Sequence, residues 1–418
     1  MFSRYLLFEW KRLLRTPKNI VIIVLFVIAL FGFWGFNLYQ YAMMQDERIE
    51  ELSAEKQFYV VEIKYYRRLR EFPEGDALYQ LLNSSYRQVA QQHLAARQAA
   101  LDPEDETIRR RELAARIRRD EVLLVGFYNW QMVVIEEGED ALHELSLPRR
   151  YRILNPEELI ANIQKLRYIE NSNMELFFSN YEMAGWHFLY RLVTLFGRFA
   201  IPVFVVLFTA DNFSAERDSG SYKFLLLQPL SRAGVYFAKL TASFLLCFGI
   251  LVAGLLMLFG INTMRYSVGE SGYPMRFAFF RAPLEYRPYD GDAEVFWANL
   301  DPGRVMPAGF VGIREYMLWA LLFIFLYLLF LIAFTSLVSI FVDNSITALA
   351  ICLGVIFSSL LLGEYLPSGE FMWNPIEYVN IYSLSTGTMW GYMWYPVIWA
   401  FVLGMIGLLS FRKKDIIC

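Results

Sequence analysis

The chain has 418 residues, 56% of them hydrophobic and only 19% charged, with a formal net charge of −3. A soluble domain carries about a quarter charged residues, and here the apolar residues are also contiguous: charge-free windows run over 19–45, 240–264, 316–342, 344–363 and 378–411. Each window holds the roughly 20 apolar residues that cross a bilayer core of about 30 Å, which excludes a soluble globular class.

Residues 1–18 alternate Phe2, Tyr5, Leu6, Phe8, Leu13 and Leu14 with Arg4, Lys11, Arg12 and Arg15. That is the pattern of a basic amphipathic helix lying in a membrane interface. Pro17 ends it, and the first crossing follows over 19–40. This run is too long for the apolar core of a secretory signal and has no small-residue cleavage site after it, so it is expected to remain as an anchor. Lysine and arginine flanking a membrane helix favour the cytoplasmic side, which puts the N-terminus inside. Residues 41–183 are polar and charged and read as an extracellular helical domain, with "DPEDE" at Asp102 and "NPEE" at Asn155 as helix starts. A passive spacer remains the alternative reading.

The second crossing is expected over 184–210, followed by a cytoplasmic loop over 211–236 and a third crossing over 237–262. An extracellular loop, 263–313, is rich in Gly, Pro and aromatic residues. The fourth crossing, 314–341, turns at "VDNS" into the fifth, 346–366. Residues 367–391 are semi-polar and aromatic and suit short segments in the outer interface. The sixth crossing, 392–411, ends at "RKKD", so the tail 412–418 is again expected inside. The fold class is therefore an all-α polytopic membrane protein with six crossings, an interfacial N-terminal helix and an extracellular helical domain.

The loop between the second and third crossings reads "DNFSAERDSGSYKFLLLQPLSR". Its acidic start would be repelled by an anionic inner leaflet, whereas Phe224, Leu225, Leu226 and Leu227 form an apolar patch that needs a partner. A protein groove fits this better than lipid. The stretch resembles the signature of ABC-2-type transporter permeases, at Glu216, Gly220, Ser221, Leu225, Leu226, Pro229, Ser231 and Arg232, with Lys239 where that family often has lysine. The resemblance extends to the interfacial helix, the six crossings and "WNPIEYVNIYSLSTG" before the last one. It implies that Glu216 to Arg232, with Phe224, form a coupling helix seated in a cleft of a separate ATPase subunit. ATP and magnesium would be bound by that subunit and not by this chain. The long region after the first crossing departs from the smallest members of the family and resembles, in placement only, the outer domains of lipid exporters.

No G-x-x-x-x-G-K-[ST] loop is present, and "GVYFAKL" lacks the second glycine and the lysine–hydroxyl pair. No nucleophile elbow or H-E-x-x-H appears, and His93, His143 and His187 have no metal spacing. Cys247, Cys352 and Cys418 read as incidental thiols. Gly249, Gly254 and Gly354 suggest close helix packing. Arg191 and Arg198 lie seven residues apart, which places them on one α-helical face of the second crossing. An arginine at that depth is costly unless paired or solvated. Two readings stand: the arginines line an outer pathway and meet an anionic substrate group, or they pair structurally with Glu364, Glu315 being a further candidate.

The leading expectation is the membrane subunit of an ATP-driven exporter of an amphiphilic lipid, peptide or drug. It would act with an ABC-type ATPase and a second permease, either a copy or a homologue, in a bacterial plasma membrane, in contact with lipid and without nucleic acid. An ion-coupled carrier would show ionisable groups or broken helices in matched halves, and crossings three, four and six carry no charge at mid-depth. A membrane sensor would need an inner signalling domain, and none of the inner segments is long enough.

Overall fold

The computed structural model describes residues 2–43, isolated helical positions between 50 and 124, and residues 156–174, 182–218, 220, 231–276, 301–307, 309–365 and 394–413. The elements are α1 (Phe2–Arg15), α2 (Pro17–Ala42), α3 (Pro156–Asn171), α4 (Gly185–Arg191), a π-helical turn (Leu192–Phe196), α5 (Gly197–Thr209), α6 (Ser214–Asp218) and α7 (Arg232–Arg265). Then come α8 (Ile313–Phe341), α9 (Ser345–Tyr365) and α10 (Trp394–Lys413). A two-stranded antiparallel sheet, β1 (Pro274–Arg276) with β2 (Phe310–Gly312), pairs Met275 with Val311. It adds a clasp to an otherwise all-α membrane architecture. The expected segment 367–391 and the loop core 221–230 lie outside the described residues.

Five of these helical stretches are long and apolar enough to cross a bilayer: Pro17–Ala42, Phe199–Asp218, Arg232–Arg265, Ile313–Phe341 and Trp394–Lys413. The expected fifth crossing is the 21-residue helix α9, about 32 Å long at 1.5 Å per residue. Burial divides the bundle. The windows on Phe199–Asp218 and α8 are 67% and 56% buried, against 22–28% for α2, α7 and α10. Thus α5 and α8 form the interior. The flanking helices turn Val24, Ile28, Leu256, Phe401 and Leu409 outward, as a bilayer requires.

The break between α1 and α2 follows from Pro17, which has no N–H and sits in the first turn of α2. Thr16 Oγ1 and Asn19 Nδ2 donate to the carbonyls of Arg12 and Leu13 at 2.8 and 2.9 Å, so the end of α1 is satisfied. The outward face of α1 carries Leu7, Phe8, Trp10 and Leu14, and its inward face carries Tyr5, Glu9 and Leu13. The helix is amphipathic as expected, with its most polar pair directed at protein and its apolar side chains left for lipid.

α7 begins at Arg232, five residues ahead of the expected crossing, because Ser231 caps it by accepting from Gly234 N–H at 3.1 Å. Gly254 fits against Leu30 of α2: a Cβ there would stand 2.8 Å from Leu30 Cδ1. The other two glycines singled out for packing do not behave this way. A Cβ on Gly249 or Gly354 would meet nothing within 4 Å. Gly407 does, because the Tyr236 hydroxyl lies 2.6 Å from where its Cβ would be.

At the end opposite the termini, Leu113, Ile117, Leu166 and Ile169 belong to the same hydrophobic core as the membrane helices. Asn171 Nδ2 reaches Asp301 Oδ1 and the Gly303 carbonyl at 2.8 and 3.1 Å. The described helices of the 41–183 region are therefore packed onto the bundle.

Candidate functional site

Both chain ends meet in one cluster of Tyr5, Phe213, Val235, Tyr236, Ile340, Leu408 and Phe411. Around it the segment 211–218 is tied to every neighbouring helix. Asp211 pairs with Lys18 at the start of α2, 2.7 Å. Asn212 Nδ2 donates to Ser243 Oγ of α7 at 2.6 Å. The backbone N–H groups of Phe213 and Ser214 both donate to Ser339 Oγ of α8, at 2.9 and 3.0 Å.

Three consecutive residues then go three ways. Glu216 is buried and accepts from Lys239 Nζ of α7 at 2.5 Å and from Arg12 of α1. Arg217 donates to the Val342 carbonyl at 2.8 Å, to the Ser339 carbonyl and to Asp343 Oδ1 at 2.5 Å, holding the end of α8. Asp218 accepts from the Ser345 N–H and hydroxyl at 2.9 and 2.7 Å, capping α9. Those two bonds hold its carboxyl below the ordinary value.

The Glu216 branch closes a network of two carboxylates and two cations. Arg12 also bonds Glu9 at 2.8 Å, Lys239 stands 3.6 Å from Glu9, and the Tyr5 hydroxyl donates to Glu9 at 2.6 Å. Lys239 is only 1% exposed. An unpaired ion there would cost several kcal/mol, and balanced charge is what allows it. Burial alone would lower the Arg12 guanidinium, but Glu216 and Glu9 outweigh it and hold it above its usual value. Burial, then Glu9, pushes the Tyr5 phenol up.

Of the residues expected to couple to an ATPase, Glu216 thus faces inward and Gly220 has a positive φ of 67° that suits glycine. Ser231 and Arg232 open α7, and Arg232 Nη1 donates to the Arg412 carbonyl at 2.7 Å. Ser221, Phe224, Leu225, Leu226 and Pro229 lie outside the described residues. The acidic lead-in does not present free negative charge as the repulsion argument assumed, since Asp211, Glu216 and Asp218 all have partners within the chain.

The second crossing departs from a plain α-helix. The π turn holds an i→i+5 pattern between Arg191 and Arg198, one residue more than an α turn. The seven-residue spacing therefore no longer places the two arginines on one face. Arg191 is buried at the end of α4 and Glu315 is exposed in the first turn of α8. Arg198 and Glu364 lie within helices, but only their backbone is described. Pro202 in α5 further removes the N–H that would bond the Arg198 carbonyl. Beside the wide turn lies an apolar gap of about 20 Å³ bordered by Phe26, Leu30, Phe196, Leu251 and Ile324.

The sequence could not reveal this hub, whose partners are far apart in the chain. The one signal was Lys239, a cation just inside an apolar run, which needs a carboxylate nearby. A family model described as an ABC-2 family transporter protein matches residues 6–416. No curated protein matches the chain.

Proposed function

The chain belongs to the ABC-2 family of transporter proteins, and from that premise we propose that it is the membrane subunit of an ATP-driven exporter. The family implies an ABC-type ATPase as partner. In this reading the end carrying both termini is cytoplasmic, and residues 216–232 engage the ATPase, which binds ATP and magnesium. The complex contains two permeases, and the cargo is an amphiphile: a lipid, a peptide or a drug.

One observation carries the mechanical part. Glu216, Arg217 and Asp218, immediately before the segment that would enter the ATPase cleft, hold α1 with α7, α8 and α9 respectively. A displacement of that segment is delivered at once to the helices that wall the bundle, and α8 is one of its two interior helices. Glu216 serves here as a positioning residue that fixes the root of the coupling segment. The apolar residues beyond Gly220 supply the contact itself.

The test is co-purification of the chain with the ATPase encoded beside it, before and after Leu225→Asp with Leu226→Asp. The double substitution is expected to abolish association, because two buried charges in an apolar contact leave no favourable burial. Undiminished association would overturn the coupling assignment.

A further inference from the structure

α1 turns its charges two ways. Its one carboxylate, Glu9, is 1% exposed and is bonded by Tyr5 and Arg12. Arg4, Lys11 and Arg15 are all exposed. At about 100° per residue these three fall within about 40° of one another, a single stripe along about 16 Å of helix. Exposed Leu7, Trp10 and Leu14 line one flank of the stripe, and exposed Phe8 lines the other. Arg12 sits at the edge, 31% exposed, and reaches from this face inward to Glu9 and Glu216.

The positive charge continues beyond α1. Arg412 and Lys413 at the end of α10 are exposed, and Tyr5 of α1 packs in one cluster with the adjoining Phe411. The segment 221–230 that joins the hub to α7 carries Lys223 and no carboxylate. Lys11 and Arg15 are like charges four residues apart, an arrangement that destabilises a helix in water. An anionic surface reverses that sign. The apolar flanks decide what carries the anion. Leu7, Trp10 and Leu14 lead past Pro17 to Ile20, Val21 and Val24, which are exposed on the first crossing. Apolar side chains beside a cationic stripe, with a tryptophan among them, match the boundary between headgroups and acyl chains. An acidic protein surface would answer the charges and leave those side chains in water.

We propose that the outer face of α1 binds anionic phospholipid, and that this lipid sets how firmly α1 holds Glu216 at the root of the coupling segment. Headgroup phosphodiester oxygens accept from the guanidinium groups of Arg4 and Arg15 and from the Lys11 ammonium. Trp10 and the leucines enter the acyl boundary. The break at Pro17 makes α1 a helix separate from α2, so its seating is set by its own two faces. Anchored on the lipid side, it keeps Glu9 and Arg12 against Glu216 and Lys239. In a neutral bilayer that anchor is lost and the inner face is held less tightly. The effect on coupling rests on the exporter reading, whereas the lipid surface does not.

A bimane probe on Ser3→Cys, exposed in the first turn of α1, reports the lipid beside the stripe. Cys418 is changed to Ser, and Cys247 and Cys352 are buried. The full chain is placed in phosphatidylcholine nanodiscs doped with brominated phosphatidylglycerol in one arm and brominated phosphatidylcholine in the other. Phosphatidylglycerol is expected to quench with about fivefold preference, the effect of one cation at an anionic surface. The triple variant Arg4→Gln, Lys11→Gln, Arg15→Gln should lose the preference, and Arg265→Gln, at the far end of α7, should keep it. Amide exchange across Ser214–Asp218 should be slower in discs containing phosphatidylglycerol, and independent of lipid in the triple variant. Equal quenching by both lipids, or a preference surviving in the triple variant, overturns the lipid surface. Equal quenching together with loss of the ATPase from the triple variant on co-purification would assign the stripe to a protein instead. Exchange independent of lipid in the parent overturns the link to Glu216. Quenching and exchange are read without ATPase or transport, so their failure is separate from failure of the exporter reading.

Discussion

Glu216 stands at the head of the expected coupling segment. Its place in the motif suggested contact with a partner, yet it is 7% exposed and bound by Lys239 and Arg12. Glu216→Gln leaves two cations facing Glu9 alone and should cost about 3–5 kcal/mol, the usual penalty for breaking a buried pair. Adding Lys239→Met restores the balance of one carboxylate and one cation, Glu9 with Arg12, and should recover most of the loss. Thermal unfolding of the solubilised chain measures both; equal midpoints for the single and double variants would dissolve the network as a stabilising unit. Lys165 gives a prediction in pH. Its folded value of about 8 lies below the ordinary 10.5, so between these limits the folded chain has already released a proton that the unfolded chain retains. Stability rises with pH across that window. Lys165→Met is therefore expected to melt above the parent at pH 7 and to lose that lead by pH 10, and a constant difference would contradict the burial of the ammonium.

At the level of elements the sequence was legible wherever a helix is long and apolar. The segments expected to cross at 184–210, 314–341 and 346–366 are helical over 185–209, Ile313–Phe341 and Ser345–Tyr365, in keeping with the length and composition that a bilayer imposes on each span separately. Three things were hidden, each for a physical reason. The early start of α7 depends on a capping hydroxyl amid polar residues, the β1–β2 clasp joins segments more than thirty residues apart, and the π turn is a backbone choice that no side chain in "LVTLF" dictates. That turn accommodates an extra residue, and Leu195 within it is exposed. Deleting Leu195 should leave both halves of the crossing in register, close the apolar gap beside Phe196 and raise the melting midpoint. Since wide turns concentrate at functional sites, turnover of ATP by the complex should fall. Unchanged values of both quantities would remove the wide turn from the mechanism.

Across the whole molecule, the interior helices α5 and α8 are clasped at one end by the hub and at the other by the packing of α3 and the β1–β2 clasp. Force applied at residues 216–218 therefore has three routes, and they are unequal. The Arg217–Asp343 ion pair ends on a carboxylate that is 80% exposed, so Asp343→Asn should change stability by less than about 1 kcal/mol. The carbonyls of Ser339 and Val342, by contrast, have completed their helix and depend on the Arg217 guanidinium. Arg217→Ala is thus expected to separate the coupling segment from α8 while leaving Leu225 and Leu226 free to bind the ATPase. The measurement is the labelling rate of a cysteine placed at Phe341, which is exposed in the last turn of α8, with and without ATP. The parent should show a nucleotide-dependent rate, and Arg217→Ala should bind the ATPase normally but label at one rate throughout. A nucleotide response surviving in Arg217→Ala would mean that the load passes through Glu216 or Asp218 instead, and α8 would lose its place as the driven helix.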